Sequence, residues 1–374
     1  MLGGMTAYVC SRCQVHSPTS ALTWCCPKCR GPWDLDFESR PVPLPSLPSR
    51  VNSLWRYTEA LPPMPLASEV TLGEGRTPLV PLAEAVSAKL DFLMPTLSFK
   101  DRGAVLLAAH ALRLARAGVL ERVVADSSGN AGTAVAAYAA RAGLDCVVYV
   151  PDGTSPKKLE QIRAHGARLV EVPGDREATA RAARTAADEP GTYYASHVYD
   201  PHFLHGTKTY VYELWEELGG RLPDTIVVPV GNGTLLLGAA LAVDELHRHG
   251  LVGTRPALVA VQARAVSPLA TAFHAGADDL TAPADARPTL AEGIAITAPP
   301  RARQILRAVR DSGGTFLTVD EDGIRAAQRD LARRGLFVEP TGVACWAAVR
   351  AAPPRPGLTV VPLCGAGAKT GLAP

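Results

Sequence analysis

A chain of 374 residues that is 47% hydrophobic has the apolar content for a sizeable core in about two domains, which excludes a disordered protein or a bare peptide-sized module. Its 38 basic and 36 acidic residues leave a formal charge of +2, and no run of Lys and Arg breaks that balance, so neither nucleic acid nor an anionic membrane is an expected partner. Residues Met1 to Thr6 lack a basic stretch leading into an apolar one, and no apolar run reaches the roughly 18 residues of a membrane span; a cytoplasmic protein is expected.

Five of the eight cysteines fall in the first 29 residues. Cys10 and Cys13 form one CxxC pair, and Cys26 and Cys29 form another twelve residues later. That spacing suits two thiolate knuckles closing on one tetrahedral Zn2+, a zinc-ribbon-like segment over 1–40; reduced cysteines without metal are the other reading. Cys25 is an adjacent extra thiol, and the spacing favours Cys26. Residues 41–50 alternate proline with other residues, which predicts an extended polyproline-like linker and a domain boundary.

Lys100 stands in Ser98-Phe99-Lys100-Asp101-Arg102-Gly103, directly before an alanine- and leucine-rich helical run, Ala104 to Ala117. The chain has seven lysines against 31 arginines. Unlike arginine, lysine gives up its proton when desolvated or placed near other positive charge, and the free amine condenses with an aldehyde to a Schiff base. A solvated lysine at a helix start is the plainer reading.

Beyond it, apolar runs at Val123-Val124, Cys146 to Val150, Arg168 to Val172, Thr225 to Val230, Ala257 to Val261, Thr315 to Val319 and Leu358 to Leu363 alternate with helical patterns. This predicts α/β architecture with parallel sheets covered on both faces, whose ligands sit beyond the strand carboxyl ends. Ser127-Ser128-Gly129-Asn130 and Gly231-Asn232-Gly233-Thr234 each lie between such a strand and a helical run. The second suits an anion at a helix N-terminus, or a plain strand-to-helix turn; the first reads also as a serine-capped helix start. Gly365 to Thr370 is not a nucleotide P-loop, because Leu363 and Ala368 stand where glycines are required.

These motifs, with Gly73-Glu74-Gly75-Arg76-Thr77-Pro78-Leu79 before them and Cys364-Gly365-Ala366-Gly367 after, resemble in order and over nearly the whole chain threonine synthase and its relatives. Those are the fold type II, tryptophan synthase β-like, pyridoxal 5'-phosphate (PLP) enzymes. The resemblance implies two doubly wound parallel-sheet domains plus a small N-terminal zinc ribbon, which many threonine synthases share. It assigns 41–109 and 191–374 to a large PLP-binding domain and 110–190 to a small mobile one. It makes Lys100 the Schiff-base lysine and then the base that takes the α-proton, with Phe99 against the cofactor ring and Asn130 against its 3'-oxygen. Gly231, Asn232, Gly233 and Thr234 would hold the phosphate, and Cys364 would stand beside the pyridine nitrogen where the family has serine or threonine. Ser127, Ser128, Gly129 and Thr96 would hold the substrate, and the metal on Cys10, Cys13, Cys26 and Cys29 would be structural.

The resemblance further implies an amino-acid substrate, a homodimer, and β- or γ-elimination or replacement by a carbon–oxygen lyase. Met94, Leu97 and Phe203 depart from the family's polar or small residues. Phe203 stands where the resemblance places an arginine that clamps the leaving phosphate, so a leaving group less anionic or differently placed than that of O-phosphohomoserine is expected. Lys208 reads either as an anion ligand or as a surface lysine at a helix start; Arg102, His202 and His205 are further candidate donors. The alternatives are a β-replacement synthase or β-lyase on a serine- or threonine-derived amino acid and, from another class, a zinc-ribbon binding protein on an inactive PLP-fold body.

Overall fold

The computed structural model describes residues 6–280, 287–352 and 356–373; residues 1–5, on which the reading of the N-terminus rests, lie outside them. Strands β1 (Ala7–Cys10), β2 (His16–Pro18) and β3 (Trp33–Asp36) form a small antiparallel sheet in the order β2-β1-β3. A hairpin of β4 (Leu79–Ala83) and β5 (Val86–Lys89) follows. Next come β6 (Arg122–Ala125), β7 (Cys146–Pro151), β8 (Arg168–Val172) and β9 (Thr192–Tyr194), all parallel, ordered β8-β7-β6-β9. Finally β10 (Thr225–Pro229), β11 (Ala257–Ala263), β12 (Thr315–Val319) and β13 (Thr359–Pro362) join the hairpin in a sheet ordered β12-β11-β10-β13-β5-β4. In that sheet only β4 runs antiparallel to its neighbour.

The strands form where valine, isoleucine and threonine accumulate, and every residue of β10, β11 and β13 is buried, the signature of a parallel sheet covered on both faces. The intervening helices are alanine-rich, and aspartates set two of their starts. Asp175 accepts from the Ala178 amide at 2.8 Å and Asp320 from the Gly323 amide at 2.8 Å.

Two compact units result. One comprises 6–42, 51–74 and 100–206; the other comprises 43–50, 75–99 and 207–373. The cysteine sheet thus belongs with the four-stranded sheet, and so do 51–74, helix Lys100–Arg116 and residues 191–206. The reason is packing: Leu107, Ala111 and Leu114 of that helix share one apolar cluster with Val123, Val148 and Phe203.

The segment 41–50 is not an extended linker. Leu44–Ser49 is a 3-10 helix with Leu47 buried, its turns closed by the Ser46 amide on the Pro43 carbonyl and the Arg50 amide on the Leu47 carbonyl. Proline's fixed φ is as compatible with a 3-10 turn as with polyproline, and burial of Leu47 decides between them.

Candidate active site

In the six-stranded unit, three segments leave the carboxyl ends of neighbouring parallel strands β5, β13 and β10. From β5 the chain runs to Thr96 and Phe99, from β13 to Cys364, and from β10 to Gly231. The first two are stitched together. The Phe99 amide donates to the Cys364 carbonyl at 2.9 Å, the Ala366 amide to the Leu97 carbonyl at 3.0 Å, and Ser98 bridges Gly365. Cys364 and Thr96 are buried and Phe99 half-buried; the Thr96 carbonyl accepts from Lys369 Nζ at 2.7 Å.

After β10, Gly233 takes a left-handed φ of 74° at the N-cap of helix Thr234–Arg248. The first backbone amides of a 15-residue helix therefore open at this loop, with the positive end of its dipole. Gly231, Gly233 and Thr234 are buried and Asn232 half-buried.

In the other unit Lys100 is the first residue of helix Lys100–Arg116, half-buried, with the Phe203 ring centroid 5.7 Å from its Nζ. Phe203 is 0% exposed and lies on helix Pro201–Thr207. That helix presses on the first turn of the lysine helix. A Cβ at Gly103 would lie 2.4 Å from the Phe203 ring, and one at Gly206 would lie 2.0 Å from the Arg102 carbonyl oxygen. Glycine at both positions is what permits this approach.

His197 is buried beside the same group, its ring 5.7 Å from that of Phe203. Burial first, and then the Lys100 charge, hold its imidazole well below the usual histidine range. The sequence reading missed His197, since nothing about a lone histidine marks it.

Ser127, Ser128 and Asn130 are half-buried and Gly129 exposed, after β6 and at the start of helix Asn130–Arg141, which packs along the lysine helix. The start is not serine-capped. Gly129 holds the N-cap without a side-chain bond, while Ser127 Oγ accepts the Gly129 amide at 3.3 Å.

Lys208 is not a surface lysine. It is 0% exposed, its Nζ 2.7 Å from Glu245 Oε1, whose other oxygen accepts from Tyr212 at 2.8 Å. Two carboxylates also escaped the sequence reading. Glu339 sends its amide to the Gly365 carbonyl at 2.9 Å, and a Cβ on Gly365 would lie 2.4 Å from its carboxyl carbon, so it rests against the Cys364-Gly365 turn. Glu74, inside the Gly73 to Leu79 motif, is fully buried and accepts from Trp55, Thr71, Leu72 and Tyr138. Pro340 marks the helix start in the sequence, but nothing local marks Glu339 as a neighbour of that turn.

The four sulfurs of Cys10, Cys13, Cys26 and Cys29 all lie within 4.8 Å of one another. Cys25 is outside the quartet. It packs with Trp24, Val124 and Val147, and burial pushes its thiol up to about 11. Among the described residues, no helix is long and apolar enough to cross a membrane.

Residues 70–365 match the family described as pyridoxal-phosphate dependent enzyme. The threonine synthase of Methanosarcina acetivorans is 33% identical over 353 residues, 91% of this chain and 85% of its own length. That of Mycobacterium tuberculosis H37Rv is 32% identical over 297 residues, 77% of this chain and 79% of its own. Among solved structures, a threonine deaminase from T.th. matches with TM-score 0.62 and 31% identity over 75% of this chain and 87% of that one. Maize serine racemase shares the fold, with TM-score 0.67 and 21% identity over 78% of this chain and 88% of that one. The chain therefore belongs to the pyridoxal-phosphate dependent enzymes of fold type II and is a threonine synthase-like carbon–oxygen lyase.

Proposed function

We propose that Lys100 is the lysine that carries the cofactor aldehyde, and that the enzyme eliminates or replaces an uncharged substituent on a serine- or threonine-derived amino acid. One observation carries the first part: the amide of Phe99, the residue before Lys100 in sequence, donates to the carbonyl of Cys364, the residue assigned to the pyridine nitrogen. The residues fit the group. Ser98 Oγ beside that turn is buried and has no hydrogen-bond partner among the described residues, and the Gly233 turn opens a helix N-terminus to an anion. Gly231 to Thr234 would hold the phosphate, Asn130 the 3'-oxygen, Phe99 the ring face and Cys364 the ring nitrogen; Ser127, Ser128, Gly129 and Thr96 would hold the amino acid. Bound there, pyridoxal phosphate supplies an electron sink for the α-carbanion. Lys100 Nζ would take the α-proton, beside a His197 that burial first holds well below the usual histidine range.

The substrate reading rests on the donors near the lysine. A phosphate leaving group needs a cation, and Phe203 stands where one is expected. Of the other candidate donors, Lys208 is paired with Glu245, His202 with Asp200, the His205 ring sits edge-on to Phe37, and Arg102 is fully buried in the first turn of the lysine helix. A second reading, favoured by 33% identity over 91% of the chain, is conversion of O-phosphohomoserine to threonine. Catalytic efficiency on O-phosphohomoserine, O-phosphoserine, O-acetylserine, serine and threonine separates them. The proposal expects the unphosphorylated compounds to lead; preference for O-phosphohomoserine establishes the second reading. The cysteine quartet would hold one structural Zn2+, since four thiolate ligands leave no open position on a tetrahedral ion, and the chain would act as a homodimer.

A further inference from the structure

The cysteine sheet grips the segment that covers Lys100. Tyr8, on β1, is 2% exposed and stacked on Trp33, ring centroids 5.7 Å apart. Its hydroxyl leaves the small sheet and stands 3.2 Å from His110 Nε2, on the lysine helix, and 3.3 Å from Asp200 Oδ2, to which it donates. Asp200 also accepts from the Tyr193 hydroxyl; its other oxygen accepts the His202 amide at 2.9 Å and lies 2.8 Å from His202 Nδ1. The rings of His110 and His202 stack at 4.1 Å. Two further contacts hold the same segment: the Trp33 amide donates to the Tyr199 carbonyl at 3.1 Å, and the Phe37 ring meets His205 at 5.4 Å.

Asp200 thus receives the hydroxyl from the cysteine sheet on one side and organises the start of helix Pro201–Thr207 on the other. That helix carries Phe203, and the backbones meet at Gly103 and Gly206 with no side chain between to absorb a shift. Packed contacts of this kind transmit a displacement.

We propose that Tyr8 is a positioning residue for Lys100: by fixing Asp200 it fixes helix Pro201–Thr207, and with it the Phe203 ring over the lysine amine. The small sheet is then a clamp on the catalytic unit and not a separate binding module. The inference rests on the reading that Lys100 carries the cofactor.

The experiment uses full-length, cofactor-loaded protein and measures how fast hydroxylamine strips the cofactor from its lysine, followed by loss of the visible band, together with metal content and thermal midpoint. Tyr8→Phe and Asp200→Asn are each expected to accelerate release about fivefold, the worth of one buried hydrogen bond, and the double variant to go no further. Trp24→Phe, which loses the 2.8 Å bond to Asp188 and shrinks a ring packed edge-on to Tyr194 and Tyr199 but leaves every bond to Asp200 in place, is expected to release at the wild-type rate. A wild-type rate in Tyr8→Phe overturns the proposal, and so does equal acceleration in Trp24→Phe, which would make the effect a general loosening. Should Tyr8→Phe fail to fold, Asp200→Asn decides alone, acceleration supporting the proposal and a wild-type rate overturning it. Borohydride fixation of the cofactor to another lysine would instead remove the reading of Lys100, whatever the release rates.

Discussion

Leu97 stands in the left-handed backbone region at φ 62°, where the family resembled has glycine. For an L-residue this conformation costs about 1–2 kcal/mol, because Cβ crowds the following carbonyl. Comparing two truncations isolates that cost from lost side-chain contacts. Leu97→Gly is expected to be more stable than Leu97→Ala by about 1 kcal/mol in denaturant unfolding; equal stability would show that the turn relaxes. Asp200 gives a second test at this scale. Burial alone would raise its pKa, but His202, His110 and the Tyr193 hydroxyl outweigh it and hold the carboxyl at about 2, against 3.8 when unfolded. A depressed folded value means that the unfolded chain binds the proton first as pH falls. The contribution of Asp200 is therefore fully present above about pH 4 and is lost as pH drops through 2. Asp200→Asn should flatten the dependence of stability on pH between those values; an unchanged slope would contradict it.

Among the elements, those with strong local signals were legible. The expected strands at Arg168 to Val172 and Thr315 to Val319 coincide with β8 and β12, and the other five differ from the observed strands by only one or two residues at their ends. The hairpin β4–β5 was not legible, since the alternation of Val86-Ser87-Ala88-Lys89 runs over only four residues and its apolar members are small. Its place comes from pairing with β13, and Lys89 is buried there by Glu213 and Glu217. The reading of 41–50 failed because proline restricts φ without choosing ψ. In the cysteine sheet, spacing distinguished Cys26 from Cys25, and packing agrees. Cys26→Ser is therefore expected to lose zinc and lower the thermal midpoint, whereas Cys25→Ser retains one zinc per chain. Equal metal loss in both would contradict the quartet.

At the scale of the molecule, composition and strand–helix alternation were enough for the α/β class, and five ordered motifs for the family. The division into units is set by the clusters that the helix Lys100–Arg116 joins, which depend on partners distant in sequence. Local pattern did not reveal Glu74, Glu339, His197 or the pairing of Lys208, since each is defined by partners distant in sequence. The assignment on which the rest depends is Lys100. Borohydride reduction of the cofactor-loaded protein followed by peptide mapping tests it most directly. The account predicts one pyridoxyl adduct, on Lys100, and its absence, with loss of turnover, in Lys100→Ala; an adduct on Lys208 or Lys369 would contradict it.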